Sequence, residues 1–280
     1  MIGRLLRQLL TAAKDGEGEL DILVVANGCT DETAGVAAAF GPLVRVISTP
    51  VASKRNAIAL GNRAARGFPR FYVDADVELG IGDVRELGRA LQRPGILGVS
   101  PELTLEMAGR RWPVRWYYDI WTRLPEVRRG LFGRGVVGVS EAGYDRLAAL
   151  PPLLADDLAA SLAFSPTERS VVPNARVTVH PPLTFAALLR VRTRAVMTVN
   201  QLESTKEAPH STARTRLLDI LAITQHDVRL APRAVLFMAV ALLTRARARR
   251  IAARKGSEEW LRDESSRLDS EVRYLSPKGS

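Results

Sequence analysis

The feature that most constrains the fold is a regular alternation of helix-type and strand-type segments over residues 2–79. The first segment, 2–10, places apolar residues at i, i+3, i+4 and i+7, which predicts an amphipathic helix. A continuous apolar run with β-branched residues follows within 21–26, and shorter strand-type segments follow at 44–47 and 71–73, with helical segments between them. Runs of this kind are typical of buried parallel strands, and their alternation with helices indicates a parallel sheet. The sequence therefore predicts an α/β fold.

The third strand of this series runs into two acidic residues. Residues 71–79 read Phe-Tyr-Val-Asp-Ala-Asp-Val-Glu-Leu, so Asp74 and Asp76 stand two positions apart. Residues i and i+2 of a strand share a face, so both carboxylates are expected to face one direction where the strand ends. Hard oxygen ligands at this edge of an open α/β sheet suit a divalent cation that carries a phosphate group. A solvated turn is the alternative for an isolated Asp-x-Asp.

Three further turns carry polar residues or glycine. Residues 24–31 read Val-Val-Ala-Asn-Gly-Cys-Thr-Asp and pass from a strand into a turn with helix-capping residues. Ser53 is expected to cap a helix that begins at Lys54. A lysine there suits phosphate as a point charge, although a solvated helix start also explains it. Segment 130–138 contains four glycines and predicts a tightly turned loop that leads into a strand.

Composition limits the class of partner only weakly. The 280 residues include 40 Lys and Arg against 30 Asp and Glu, which gives a net charge of +10 and a pI of about 10.4. A basic surface attracts nucleotides, nucleic acid and anionic lipid alike. Cys29 is the single cysteine, which excludes an internal disulfide and favours a reducing, cytoplasmic location. No uninterrupted apolar run of about 18 residues is present, so no membrane-spanning helix is expected.

The composition changes near residue 205. Residues 1–205 are predicted to form the α/β domain, and residues 206–280 a basic helical extension. Within the extension, an apolar stretch at 234–243 precedes a cluster of basic residues, namely Arg245, Arg247, Arg249, Arg250, Arg254 and Lys255. An apolar helix beside such a cluster is typical of helices that lie on an anionic membrane surface. A core helix with a solvated basic end is an equal alternative for 231–255.

Four segments that occur in order carry a resemblance to a known family. They are Val-Val-Ala-Asn-Gly-Cys-Thr-Asp at 24–31, Ser-Lys-Arg at 53–55, Tyr-Val-Asp-Ala-Asp-Val at 72–77 and Ala-Asp-Asp-Leu at 155–158. With the Arg-x-Arg at 192–194, the set resembles the family-2 inverting glycosyltransferases of bacteria, which have the GT-A fold. The resemblance covers roughly residues 2–205. It implies a mixed, mostly parallel sheet with flanking helices, followed by the C-terminal helical extension.

The resemblance also implies a reaction and a set of binding residues. A hexosyltransferase of this kind moves a sugar from a UDP- or GDP-sugar to an acceptor hydroxyl, and a divalent cation, Mn²⁺ or Mg²⁺, neutralises the leaving diphosphate. Asp76 is then the direct metal ligand, while Asp74 contacts the metal, the ribose or the sugar, and His180 is a minor candidate for a third ligand. Asn27 stands where many relatives carry an Asp, and its amide can still bind a base edge. Lys54 is expected to contact the nucleotide.

The remaining implied residues lie later in the chain. Asp156 and Asp157 match the acidic pair of the family, and Asp157 is implied to be the base that deprotonates the acceptor hydroxyl. Taken by themselves, the two would be read as capping residues before a helix that starts at Leu158. Arg192 and Arg194 match a helical basic motif that helps to hold the diphosphate. Because i and i+2 do not share a helix face, only one of them is expected to point inward.

One departure from the family concerns the start of the chain. Relatives begin with a strand and a Pro-x-x-Asn-Glu turn, whereas this sequence starts at the helix that would follow. Translation is therefore expected to begin upstream of Met1, and the alternative is a truncated, catalytically impaired nucleotide-binding relative. A nucleic-acid binder is disfavoured, because outside 110–121 the basic residues are not arranged with stacking aromatics. The acceptor is expected to be lipid-linked or a cell-envelope precursor, with the protein at the inner face of the membrane.

Overall fold

A computed structural model describes residues 1–11, 20–149, 161, 163–204 and 217–253. In chain order its helices are α1 (Ile2–Leu10), α2 (Thr33–Ala38), α3 (Lys54–Ala64), α4 (Ile81–Leu91), α5 (Trp112–Trp121), α6 (Pro125–Arg129), α7 (Glu141–Ala148), α8 (Phe185–Ser204), α9 (Leu217–His226) and α10 (Ala231–Ala253). The strands are β1 (Ile22–Asn27), β2 (Val44–Thr49), β3 (Arg70–Val73), β4 (Gly98–Leu105), β5 (Val136–Val139) and β6 (Arg169–Val179). Short 3-10 turns precede β2 and α10.

The chain divides into two compact units that interleave along the sequence. Unit 1 comprises Met1–Thr104 and Gly130–Val179, and unit 2 comprises Leu105–Arg129 and His180–Ser280. Each unit is therefore built from two separate stretches of the chain. The boundary near residue 205 that composition indicates stays a prediction.

Unit 1 contains two sheets. In the first, β1 and β2 run parallel, with Ile22 opposite Val44 and Asn27 opposite Thr49. The second has the order β3-β5-β4-β6, and β5 is antiparallel to both β3 and β4. Among the described residues, β1 pairs with β2 alone and β3 is an edge strand. The α/β class with flanking helices is confirmed. The antiparallel strand pairs, β3 with β5 and β4 with β5, lie in the second sheet.

One hydrophobic core lies beneath both sheets of unit 1. The amphipathic pattern of α1 is confirmed, because Leu5, Leu6 and Leu9 are buried in this core. They share it with residues of both sheets and of α4, including Val44, Leu87, Val99, Val136 and Val177. A fully buried side chain of this type contributes about 1.5–3 kcal/mol relative to an exposed one. The core therefore holds α1 and the ends of the central strands in place.

Unit 2 is helical and is built around α10. Helix α5 packs against it, with the ring of Tyr117 stacked on Phe237 at a centroid distance of 5.0 Å. An ion pair between Arg233 and Asp119 adds a polar contact. Of the aromatic residues in 110–121, Tyr117, Tyr118 and Trp121 are buried, whereas Trp112 is 59% exposed. In the part of the chain that the structure describes, no helix is long and apolar enough to cross a membrane.

Candidate active site

The carboxyl end of β3 places Asp74 against a glycine of the neighbouring loop. The backbone N–H of Asp74 donates to the carbonyl of Gly135 over 2.7 Å. Gly135 has φ +67°, and a Cβ there would lie 2.6 Å from Val77 and 3.3 Å from the Asp74 carboxylate. This position therefore requires glycine. The glycine density of 130–138 was the sequence signal for a tight loop, but it did not indicate that the loop supports Asp74.

Asp74 and Asp76 are not related by strand geometry. Strand β3 ends at Val73, and Asp76 lies in the turn that follows, where its side chain is exposed. The expectation that the two carboxylates share a strand face is therefore wrong in its reasoning, because the strand ends before either residue. What the structure retains is two carboxylates within one turn at the end of β3.

The turn that carries Asp76 is held by α1 and β6. Arg4 donates to the carbonyl of Asp76 at 3.5 Å and forms an ion pair with Glu78 at 3.0 Å. The side chain of Gln8 accepts from the N–H of Leu79. Glu78 also exchanges two backbone hydrogen bonds with β6. No sequence pattern indicated a functional role for Arg4 or Gln8, which lie on the partly polar side of α1.

Lys54 contacts Asp74 directly. Ser53 caps α3 as expected, since its hydroxyl accepts from the N–H of Asn56 at 3.2 Å. The first helical residue, Lys54, then reaches Asp74 with an Nζ–Oδ1 distance of 2.9 Å. The two side chains are 46% and 43% exposed, so the pair lies at the surface and open to solvent. Two residues that the sequence selected for separate reasons are thus brought together.

The far end of α3 is anchored to the start of β3. The hydroxyl of Tyr72 donates to the side chain of Asn62 at 2.9 Å, and Arg70 donates to the Asn62 carbonyl at 3.2 Å. Burial raises the pKa of Tyr72 above its ordinary value of 10.0, so the phenol stays protonated and keeps donating. Helix α3 therefore contacts β3 through Asn62 and the residue just after β3 through Lys54, so its two ends lie along this strand and the turn that follows it.

The turn after β1 lies next to the same helix start. Asn27 pairs with Thr49 of β2, and the N–H of Gly28 donates to the Thr49 carbonyl at 2.8 Å. Gly28 has φ +56°, and a Cβ there would come within 2.5 Å of Ala52. The segment that leads into Ser53 is therefore packed directly on this turn. Asn27, Lys54 and Asp74 belong to one edge of unit 1.

The other residues selected from the sequence are placed differently. Arg192 and Arg194 lie in unit 2, where the Arg192 guanidinium lies over the rings of Tyr117 and Trp121, 5.6 and 6.0 Å from their centroids. Burial raises the pKa of Tyr117 above 10.0, against the opposing effect of Arg192. Arg194 is exposed.

Four further residues complete the account of the predicted site. His180 is the first residue of the second segment of unit 2. Asp156 and Asp157 lie outside the described residues. Within the described ranges, no group of three or more His, Cys, Asp or Glu side chains could hold a metal ion. Cys29 is an exposed free thiol whose Sγ lies 3.9 Å from the Asn27 carbonyl.

The relationship to known proteins is decided by a family match. The model of Glycosyl transferase family 2 matches residues 1–141, just over half of the chain. The chain belongs to glycosyl transferase family 2. The enzyme class implied by the sequence motifs is thereby confirmed. Asn27, Lys54, Asp74 and Asp76 lie within the matched residues of this glycosyltransferase, whereas Arg192 lies beyond them.

Solved structures share the fold of this glycosyltransferase. A mannosyltransferase from Pyrobaculum calidifontis, solved with GDP-Man and Mn²⁺, aligns with a TM-score of 0.54 and 16% identity, over 98% of this chain and 77% of that one. Glucosyl-3-phosphoglycerate synthase from Mycobacterium tuberculosis, solved with Mn²⁺, UDP-glucose and phosphoglyceric acid, aligns with a TM-score of 0.52 and 18% identity, over 78% and 79% of the two chains. At these identities the likeness concerns the fold. No curated protein matches the chain.

Proposed function

We propose that this family-2 glycosyltransferase moves a hexose from a UDP- or GDP-sugar to an acceptor hydroxyl, with inversion at the anomeric carbon and with the help of a divalent cation. The observation that carries the proposal is the contact between Lys54 and Asp74 beside the Asn27–Gly28 turn. It brings an ammonium group and a carboxylate together, and the segment that leads to this lysine packs on the turn that follows Asn27. Ligands bind at the carboxyl ends of the strands in open α/β sheets.

The roles follow from the chemistry of each side chain. The Asn27 amide is suited to a base edge, because it both donates and accepts hydrogen bonds. Lys54 is suited to a phosphate oxygen, as a compact point charge on a flexible stem. Asp74, which already accepts from Lys54, is suited to a ribose or sugar hydroxyl. On this proposal, the Lys54 ammonium group exchanges its contact with Asp74 for a contact with a phosphate oxygen when the donor binds.

The donor set of the turn after β3 fits a divalent cation. Asp74 and Asp76 offer hard carboxylate oxygens within one turn, and both side chains reach solvent. Mg²⁺ and similar ions are commonly held by one or two carboxylates together with substrate phosphates rather than by an all-protein cage. A set of two carboxylates is therefore sufficient. Bound there, the cation would supply charge neutralisation for the leaving diphosphate.

The chemical step needs a base and a path for the leaving group. In a single displacement the acceptor oxygen forms a bond to the anomeric carbon while the bond from that carbon to the diphosphate breaks, which inverts the configuration. The acceptor proton must be removed as this happens. By resemblance, Asp157 is proposed as the base with Asp156 beside it. By the same resemblance, one of Arg192 and Arg194 is proposed to help hold the diphosphate.

The nature of the acceptor rests on the composition of 231–255. An apolar stretch followed by arginines supports an acceptor that is lipid-linked or a cell-envelope precursor, used by a cytoplasmic protein at the inner face of the membrane. No nucleic-acid partner is proposed. The alternative function is a nucleotide-binding relative with impaired catalysis, which would share the donor site but not the turnover.

The test is a thermal shift with UDP and with GDP, each with and without Mn²⁺, on wild type and Asp76→Asn. We expect stabilisation that needs both nucleotide and metal and that is lost in Asp76→Asn, because the cation links the carboxylate to the diphosphate. Asp145→Asn, an exposed carboxylate on α7, is the matched control and should behave as wild type. A folded wild type that neither nucleotide stabilises would exclude the proposal. Metal-dependent binding without release of nucleoside diphosphate from any donor sugar would favour the impaired relative.

A further inference from the structure

Unit 2 exposes an unusual number of large apolar side chains in one part of the sequence. Of its described residues, eight large apolar ones are more than half exposed: Trp112, Leu217, Leu218, Leu221, Val228, Val235, Leu242 and Leu243. Seven of them fall between Leu217 and Leu243, in α9, the 3-10 turn and α10. Single exposed apolar residues are common, whereas a concentrated set marks an interaction surface. We call this set, with the arginines named below, the apolar–arginine surface.

Helix α10 is apolar on two opposite faces. One face is buried at Ala234, Phe237, Val240, Thr244 and Ala248, a spacing of three and four residues that marks a single helix face. The opposite face carries Val235 and Leu242, which are seven positions apart and are 62% and 66% exposed. A helix that only covers a core has polar residues on its outer face. The outer face of α10 therefore has a second role.

Helix α9 continues the exposed apolar set. Leu221 follows Leu218 by three positions and Leu217 by four, so the three leucines lie on one side of the helix. They are 69%, 74% and 53% exposed, whereas Ile220 is buried. Val228, in the turn that joins α9 to α10, is 78% exposed. The outer apolar set is therefore not limited to one helix.

The charge beside this apolar set is positive. Immediately after Leu243, α10 carries exposed arginines at Arg245, Arg247, Arg249 and Arg250. No Asp or Glu occurs anywhere from residue 228 to residue 253. Trp112, on α5, has exposed Arg111 and Arg115 as neighbours in sequence. Earlier in the surface, Asp219 and Asp227 are the acidic residues of 217–253. Apolar groups with an aromatic side chain and a row of cations complement an apolar interior that is bordered by anionic headgroups.

We propose that the apolar–arginine surface binds an anionic phospholipid bilayer, with the exposed leucines and valines of α9 and α10 in the acyl boundary and the arginines on lipid phosphates. The helices lie on the membrane, in agreement with the finding that no described helix is suited to span it. The apolar side chains disfavour a nucleic acid as the partner, because a phosphate backbone offers them no apolar surface to contact. The inference concerns unit 2: it names the surface and the lipid chemistry behind the membrane location that the proposed function draws from 231–255, and it does not depend on the sugar transfer.

Flotation of the full chain with lipid vesicles tests the proposal. We expect the protein to float with vesicles that contain phosphatidylglycerol, to float poorly with pure phosphatidylcholine, and to be released by high salt, which screens the arginines. Arg245→Gln combined with Arg249→Gln should weaken binding by about tenfold or more, since each cation near an anionic surface contributes about 1 kcal/mol. Arg63→Gln, an exposed arginine on α3, is the matched control and should bind as wild type.

A second pair of variants tests the apolar part. Leu218→Gln combined with Leu242→Gln should reduce flotation with anionic vesicles, whereas Leu43→Gln, which is 46% exposed in unit 1, should not. Because all three leucines are exposed, the variants should fold, and far-UV circular dichroism checks this. Failure of the folded wild type to float with anionic vesicles would overturn the proposal. So would a stable dimer of the wild type that Leu242→Gln dissociates, because the face would then bind a second copy.

The two proposals can fail separately. Flotation needs no nucleotide, metal or turnover, whereas the nucleotide thermal shift needs no lipid. A protein that floats but binds neither UDP nor GDP would retain the membrane surface and lose the donor site. A protein that binds nucleotide and metal but does not float would do the reverse.

Discussion

Replacement of Lys54 by methionine separates a surface ion pair from a donor-binding residue. Lys54 contacts Asp74 at 2.9 Å, and both side chains are nearly half exposed. Exposed ion pairs of this kind contribute about 0–1 kcal/mol to folding, because water screens the charges. For a domain of this size, 1 kcal/mol shifts the melting temperature by about 2–4 °C. Lys54→Met should therefore melt within about 4 °C of wild type.

The expected effect on nucleotide binding is larger. A hydrogen bond to a charged group contributes about 1.5–3 kcal/mol when one partner is removed. Since each 1.4 kcal/mol is about a factor of ten in affinity, Lys54→Met should weaken binding of UDP or GDP by about 10- to 150-fold. Methionine keeps most of the length of the lysine stem, so the change mainly removes the ammonium group.

Isothermal titration in the presence of Mn²⁺ measures the nucleotide affinity, and a thermal melt of the same samples measures the stability. Arg55→Met is the matched control, because it removes one exposed positive charge from the same turn of α3. We expect Arg55→Met to bind nucleotide within a few-fold of wild type. Equal affinities for the two variants would refute the reasoning and reduce Lys54 to a surface ion pair. A large loss of stability in Lys54→Met would refute the assignment of the pair to the surface.

Two further changes test the framework of the site. Gly28→Ala should destabilise the protein by about 1–3 kcal/mol in chemical unfolding, because residue 28 has a positive φ and the new Cβ would meet Ala52; unchanged stability would contradict that geometry. Burial alone would raise the pKa of Asp21, but Arg45 and a backbone N–H donate to it and hold the pKa below the ordinary 3.8. A carboxyl group whose pKa is lower in the folded than in the unfolded protein stabilises the fold at pH values above the unfolded pKa. This stabilisation is lost as the pH falls through the folded pKa. Asp21→Asn should therefore be less stable than wild type at neutral pH, and the difference should shrink below pH 3.8; a constant difference would count against the assigned cause.

The sequence predicted the parts of this protein that depend on local pattern. The helix at Ile2–Leu10 and the cap at Ser53 follow from residue spacing and from one hydroxyl, and the structure has both. The strand that leads to Asp74 is present and ends at Val73, but strand geometry does not extend to Asp74 and Asp76 as the sequence predicted. A strand ends where its partner stops pairing, and the partner β5 is far away in the sequence.

The site itself was predicted as a set of residues, without their contacts. Family motifs selected Asn27, Lys54, Asp74 and Asp76, all of which lie in unit 1. No local rule predicted that Lys54 would contact Asp74, twenty positions away, because that contact depends on how α3 is anchored to β3. Nor did any pattern indicate that Gly135 supports the Asp74 backbone.

The amino-acid sequence by itself determined the element types, the excess of positive charge and the identity of the acidic turn, since each depends on residues close together in the chain. Only the tertiary structure decided which faces are covered. Helix α10 carries apolar residues on two opposite faces, so its sequence cannot state which face packs against α5 and which remains exposed. Whether a residue is buried depends on neighbours that come from distant parts of the chain. The same reason explains why Arg192 lies over aromatic rings that are more than 70 positions away from it.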